Sequence, residues 1–322
     1  MTYRQDPPNT IKIEFTEGCN LRCQMCGIQG IREKPGGLYE YLTTGLAEKI
    51  GKLVAESGWN SKFEFSLRGE PLMNPNSAAI IGILRKHLPK ACLMVTTNGI
   101  PLLRKPGVNA NLDALFANGL NIFAMDCYEA SKKAEAQIRL YEGVPVTDYP
   151  GGPSPYHKVK ANVQRIILME DFEKAAMQEI ALGTKRVNSH CGAGLKPPSE
   201  PLQRRCARPF REMVIRWDGR VALCCNSWRD EYKCGHIDDF ETIADAWNSI
   251  YLMAARRKLY RKDRDFGVCR ICDERTFRDG LLPDRLGKKS LRKPNEADEE
   301  AILEAMIGGP ATTPVLRPWE QK

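Results

Sequence analysis

Along the first half of the chain, short apolar or alternating runs are followed by stretches whose apolar positions recur three and four residues apart. Ile11 to Phe15 alternates and predicts a first strand, and Leu46 to Ser57 has helical spacing that stops at Gly58. Phe63 to Leu67 predicts a second strand, Ser77 to His87 a helix, and Cys92 to Thr97 a third strand ending at the turn Asn98-Gly99. Leu112 to Asn118 predicts a short helix, Asn121 to Met125 a fourth strand, Ser131 to Tyr141 another helix and Arg165 to Met169 a late strand. Strand and helix in alternation favour an α/β fold, a parallel sheet covered by helices. Prolines and glycines accumulate from Val144 to Tyr156, which predicts a long loop over the open side of that sheet.

The Pro- and Arg-rich stretch PPSEPLQRR marks a boundary. It separates residues 1–200 from a small cysteine-rich domain at 201–278, where Trp217-Asp218-Gly219-Arg220 reads as a hairpin turn between Met213 to Arg216 and Val221 to Cys224. Thr242 to Leu259 predicts one clear helix there. Residues 279–322 read as a polar extension with one helix, capped by Asn295 and ended at Gly308 and Gly309.

The 322 residues, 42% hydrophobic and 27% charged, are enough for a globular core. No apolar run approaches the roughly 20 residues of a membrane span. The start MTYRQDPPNTIKIEF lacks the order of a secretory signal, so no membrane association and a cytoplasmic location are expected. Twelve cysteines in such a compartment point to metal ligands or redox chemistry rather than disulfides. A net charge of +8 permits an anionic partner such as nucleic acid, with Lys and Arg densest at Arg204 to Arg211, Arg256 to Arg264 and Lys288 to Lys293. A solvated basic surface is the alternative.

Cys19, Cys23 and Cys26, spaced C-x3-C-x2-C, follow the first strand directly. Electron-transfer ferredoxins use four cysteines per cluster, so three leave one iron of a four-iron cube open. The spacing resembles the signature of the radical S-adenosylmethionine (SAM) superfamily, and further motifs carry the resemblance from about residue 10 to about residue 275. It implies a partial (β/α)6-type barrel, a [4Fe-4S] cluster on these three cysteines, and SAM chelated to the open iron. Leu67-Arg68-Gly69-Glu70-Pro71 resembles the GGEP-like motif that holds the SAM amino group, with Arg68 where the first glycine usually stands. Thr96-Thr97-Asn98-Gly99 resembles the strand-end TNG whose polar side chains reach the cofactor, or is an ordinary Asn-Gly turn. Met25 stands where a backbone contact to adenine is made, and Asp126 where relatives place a polar group facing SAM or substrate, unless it only caps the next helix. The resemblance thus assigns Met25, Gly69, Glu70, Pro71, Thr97, Asn98 and Asp126 to cofactor binding. All stand near strand ends, where parallel sheets bind ligands. The implied chemistry is one-electron reduction of SAM and hydrogen abstraction from an unactivated carbon, with a reductant such as flavodoxin or ferredoxin as partner. The rival reading of the triplet is a zinc site short of one ligand.

Cys206, Gly219 and Cys224 form C-x12-G-x4-C, which resembles the opening of a SPASM or twitch domain, and Cys269-Arg270-Ile271-Cys272 resembles its closing pair. Cys206, Cys224, Cys269 and Cys272 would hold a second, auxiliary [4Fe-4S] cluster, with Cys225 or Cys234 as substitutes for Cys224. No cysteine follows Cys272, so the match is to the one-cluster form. A four-cysteine zinc ribbon is the alternative. Cys92, within a strand, reads as a small core residue. Some SPASM or twitch epimerases return hydrogen to substrate from a free cysteine. Cys191, in the loop Asn188 to Gly194, is the first candidate for that role, and Cys127, Cys225 and Cys234 are others, against the alternative of buried incidental thiols. His190 either orients substrate or lies at the surface.

The expected activity is radical-based rearrangement, epimerisation or oxidation. The stretches NSHCGAG and RPFREMVIRWDGRVALCCNSWRDEYKCG look like those of a group of short SPASM-containing proteins. A modified nucleotide or DNA base leads the substrate candidates, because the bacteriophage pathways that hypermodify thymidine include radical SAM isomerases acting on an amino-acid adduct. A ribosomally made peptide and a sugar or aminoglycoside are the others. A non-catalytic zinc and nucleic-acid-binding protein is the reading from a different class.

Overall fold

The computed structural model describes residues 6–30, 39–149, 163–182, 188–228, 232 and 234–274. The extension at 279–322, its expected helix and the run Lys288 to Lys293 lie outside the described residues. In chain order the elements are β1 (Thr10–Ile13), β2 (Thr16–Glu17), β3 (Glu40–Tyr41), α1 (Thr44–Ser57), β4 (Lys62–Phe65), α2 (Ser77–His87), β5 (Leu93–Thr97), α3 (Val108–Ala117), β6 (Ile122–Asp126), α4 (Lys132–Ile138), β7 (Val146–Tyr149) and β8 (Arg165–Met169). After these come α5 (Phe172–Ala181), α6 (Arg208–Arg211), β9 (Glu212–Ile215), β10 (Val221–Ala222), α7 (Ile243–Trp247) and α8 (Ile250–Tyr260).

The sheet runs β10-β9-β1-β4-β5-β6-β8-β7, with β2 and β3 forming a separate pair. Every pairing in the large sheet is parallel except β9 with β10. Among the described residues the two edges, β10 and β7, do not pair, so the sheet is open there. The cysteine-rich hairpin joins it through β9, which lies parallel to β1. That placement carries a C-terminal segment directly onto the strand that leads into the cysteine triplet.

Local chemistry explains the elements. In α1, Thr43 accepts from the Leu46 N–H at the N-terminus, Gly58 at φ 68 ends the helix, and Ala47, Ile50 and Val54 form its buried stripe. The central strands β5 and β6 are almost wholly buried, as strands covered on both faces must be, which is why they read as continuous apolar runs.

Three elements depart from the sequence reading. Val146–Tyr149 is an edge strand rather than part of a loop, because its β-branched and aromatic residues pair with β8 on one side only. The single helix expected from Thr242 breaks at Asn248, where the Ser249 hydroxyl starts α8 by accepting from the Leu252 N–H. Arg256 holds the break, stacking 3.8 Å from the Trp247 ring centroid and donating to the Trp247 carbonyl at 2.7 Å. Helix α5 was not foreseen; Asp171 caps it by accepting from the Lys174 N–H. One of the basic runs, Arg256 to Arg264, turns partly inward, since both of those residues are buried. No described helix is long and apolar enough to cross a membrane.

Candidate active site

The C-terminal ends of the parallel strands share one edge, and the first thiol set lies there. Cys19 Sγ accepts from the Leu21 N–H at 3.3 Å and faces Asn98 Nδ2 at 3.6 Å, while the Cys26 N–H donates to the Cys23 carbonyl. Burial, then Glu173 and the two neighbouring thiols, push the Cys23 thiol up to about 12. A Cys23 thiol raised this far becomes a thiolate only beside a cation, and the three-cysteine donor set fits an iron cluster with one open corner. Met25 is buried beside Cys23, packed on Ala176 of α5.

One hydrogen-bond network joins the three cofactor motifs. Glu70, buried, accepts from Thr97 Oγ1 at 2.6 Å, the Asn98 N–H at 2.8 Å and the Leu72 N–H at 2.9 Å. Asn98 Nδ2 donates to Asn20 Oδ1 at 2.8 Å, which carries the network into the cysteine loop. Pro71 opens a short turn capped by Glu70. Burial raises Glu70 to about 7, and burial followed by the charges of Glu70 and Asp171 raises Asp126 to about 7. These carboxylates form an acidic floor suited to an amino group.

Gly69 sits where only glycine fits. A Cβ there would lie 2.3 Å from the Thr16 carbonyl oxygen and 2.4 Å from that of Gly18, which also accepts from the Glu70 N–H at 2.9 Å. Gly69→Ala is therefore expected to push the cysteine loop outward and cost about 1–3 kcal/mol or more, read by urea unfolding together with iron retained at the first site.

Arg68, the departure from the motif, points away from this floor. It grips Glu14 with Nε at 2.8 Å and Nη2 at 3.0 Å, reaches Glu17 at 3.0 Å and donates to the Trp228 carbonyl at 3.2 Å. Arg216 approaches Glu14 at 3.5 Å and donates to the Ser227 carbonyl, and Trp217 Nε1 donates to Glu17 at 2.6 Å. Two carboxylates and two guanidinium groups thus tie β1 to the Cys224–Trp228 turn.

The second thiol set lines one cavity. Its walls include Cys206, Cys224, Cys269 and Cys272 together with Cys191, Arg208 and Arg264. Thiolates around a four-iron cube outweigh its positive charge, and two guanidinium groups beside them supply compensation, so the lining fits an iron-sulfur cluster. Cys225 faces elsewhere, its sulfur taking Arg208 Nη1 at 3.1 Å and its N–H donating to Glu212 at 3.0 Å. Cys234 is buried in the core and is not part of the lining.

The hydrogen-donor candidates do not gather at the first thiol set. Cys127 packs against the core, raised to about 12 by burial and then by Glu135. Cys234 is enclosed, and Cys191 lies in the second cavity at 1% exposure. Cys191 thus lines the auxiliary cavity rather than the first thiol set. The loop around Cys191 instead lies between the two sites: Gly194 presses on the Met25 carbonyl, Gly27 on Ala193 and Trp228, and His190 stacks 4.0 Å from Trp228.

Sequence reasoning missed Tyr128, whose phenol is raised by burial, then by Asp126 and the three thiols, and Glu173, which accepts from the Gln24 N–H at 2.8 Å. The Asp171 cap followed by Ala176 and Ile180 at helical spacing was the available signal for the latter.

Comparison with known proteins agrees with this geometry. The Radical SAM superfamily profile matches residues 13–167, and the SPASM profile, an iron-sulfur cluster-binding domain, matches residues 206–273. Bovine Molybdenum cofactor biosynthesis protein 1 is 34% identical over 115 residues, 33% of this chain and 18% of that protein. The chain therefore aligns with less than a fifth of that relative's length. The S-adenosyl-L-methionine-dependent 2-deoxy-scyllo-inosamine dehydrogenase of Niallia circulans is 21% identical over 267 residues, 82% of this chain and 92% of that protein. The crystal structure of BtrN in complex with AdoMet and 2-DOIA shares the fold, with TM-score 0.58 at 16% identity, covering 84% of this chain and 94% of that one.

Proposed function

Because the chain belongs to the radical SAM superfamily and carries a SPASM iron-sulfur domain, we propose that it abstracts hydrogen from an unactivated carbon of its substrate and then rearranges or oxidises it. The observation that carries this is the convergence of Cys19, Cys23 and Cys26 with the Glu70–Thr97–Asn98 network at one sheet edge. When bound, SAM and the first cluster supply a 5′-deoxyadenosyl radical. The residues around them orient and enclose. Asp126 and Glu70 receive the amino group of SAM, Gly69 lets the backbone approach the cysteine loop, and Tyr128 and α5 close over the thiols. Cys206, Cys224, Cys269 and Cys272 hold the auxiliary cluster.

For the substrate, an amino-acid-modified thymidine of DNA, isomerised during hypermodification, is the leading reading. It is supported by the likeness of NSHCGAG to short SPASM proteins and by the place of that loop between the two thiol sets. Net charge +8 suits a phosphorylated partner. Dehydrogenation of an aminocyclitol is the second reading, favoured by the near end-to-end correspondence with the inosamine dehydrogenase. A flavodoxin or ferredoxin is the proposed electron donor. The test incubates the reduced, cluster-loaded enzyme with each substrate class deuterated at ring or side-chain carbons. Label in 5′-deoxyadenosine from the thymidine adduct supports the first reading, label from the aminocyclitol replaces it with the second, and label from neither rejects both.

The acidic floor sets a pH dependence. Carboxylates raised to about 7 are protonated below that pH, and an amino group is bound best by their ionised forms. SAM affinity is expected to fall about tenfold per group that must ionise as pH drops from about 8 to about 6. Equilibrium dialysis of labelled SAM against the cluster-loaded enzyme measures this, and a flat profile would show that neither carboxylate meets the amino group.

A further inference from the structure

Four thiolates satisfy a four-iron cube, yet five line the auxiliary cavity. The surplus member is Cys191, which lies outside the SPASM match. Cys191 and Cys272 line the same cavity. The backbone around it is built for that placement. His190 and Cys191 are consecutive non-glycine residues in the left-handed region, at φ 48 and φ 53. Such conformations are strained for non-glycine residues and persist only where the surroundings over-determine them. Here the surroundings are Asp273, the residue after Cys272, whose Oδ1 accepts from the Ser189 N–H at 2.7 Å and from Ser189 Oγ at 2.9 Å. Ser189 Oγ in turn accepts from the Gly192 N–H at 3.2 Å, and the Ser189 carbonyl accepts from the Gly194 N–H at 3.1 Å. The loop is thereby bolted to the segment that carries Cys272, and Cys191 is held in the cavity that Cys272 lines.

We propose that Cys191 is a reserve ligand of the auxiliary cluster, able to take over the iron held by Cys272. The exchange is redox-neutral: the iron–sulfur bond to Cys272 breaks, the bond to Cys191 forms, and the proton leaving Cys191 passes to Cys272. Cys206, Cys224 and Cys269 keep the rest of the cube in place. This arrangement gives the cluster one exchangeable corner without loss of iron. That corner faces the loop whose other end, Ala193 and Gly194, packs on the first cysteine loop.

The inference rests on the iron-sulfur reading of the cavity, and the test separates the two. In the full-length chain with Cys19, Cys23 and Cys26 replaced by alanine, anaerobic reconstitution should load about four irons per chain, one cube. If this parent takes up zinc or no iron, the cluster reading itself fails. Given a loaded parent, Cys272→Ala is expected to keep about four irons with a shifted electron paramagnetic resonance spectrum, and Cys191→Ala/Cys272→Ala to lose most of them. Cys272→Ala losing iron as completely as the double variant overturns the proposal. Because alanine at a buried site can unfold a domain, Cys272→Ser and Cys191→Ala/Cys272→Ser are compared as well. A spectrum that changes when Cys191 is also removed supports exchange, and identical spectra in the two serine variants overturn it.

Discussion

Replacing Arg68 with methionine is expected to destabilise the protein by about 3–5 kcal/mol, because it leaves a buried carboxylate without its bidentate partner. Glu14 is fully buried and Arg68 is 1% exposed, so neither can exchange its partner for water. Arg216, at 3.5 Å from Glu14, is too distant to replace two bonds of 2.8 and 3.0 Å. The damage should spread along the network. Arg68 also fixes the Trp228 carbonyl, so the turn carrying Cys224 loses an anchor and the auxiliary site should retain less iron than the first. Urea unfolding of the variant measures the first effect. Arg68→Met/Glu14→Gln should recover part of the loss by removing the stranded charge, and a single variant within about 1 kcal/mol of the parent would show the network to be incidental.

The Arg68 position illustrates which parts of this molecule could be read from the sequence. The GEP and TNG segments and both cysteine sets were legible, because each is a short run whose residues act together and whose spacing is set by local backbone geometry. The strands and helices of the first half were legible for the same reason, since periodicity is a local property. Arg68 looked like a flaw in the SAM motif, and its partners explain why: Glu14 is 54 residues away and Trp228 is 160 residues away, separations that no local pattern reports. Cys191 was a candidate hydrogen donor because it stands in a polar, glycine-rich loop. Its place in the auxiliary cavity is set by Asp273 and by a left-handed backbone that sequence does not advertise at non-glycine residues. The break between α7 and α8 was hidden because apolar spacing continues through Asn248 and Ser249, while the Ser249 cap and the Arg256 stack that enforce it are tertiary. The basic run from Arg256 to Arg264 misled for a related reason. Composition counts charges, and only packing tells that Arg256 and Arg264 satisfy internal carbonyls.

Replacing Cys19, Cys23 and Cys26 together with alanine is expected to abolish 5′-deoxyadenosine formation while leaving about half of the iron, one cube of two. The prediction follows from how the two thiol sets are built. The first hangs on the loop after β1 and draws its support from Asn98, Gly69 and α5, whereas the second is assembled from Cys206 beside α6, Cys224 after β10 and the segment through Cys272. The two share the β1–β9 pairing and the Asn188–Gly194 loop, but no thiol of the first set lines the second cavity. Only Cys23 of the three is buried, so the alanine replacements remove little packing and folding itself should survive. Iron and sulfide analysis after anaerobic reconstitution, paired with chromatography of the reduced reaction, reads both effects. Persistence of 5′-deoxyadenosine would move SAM cleavage away from the sheet edge, and loss of all iron would mean that the second cavity holds no iron-sulfur cluster.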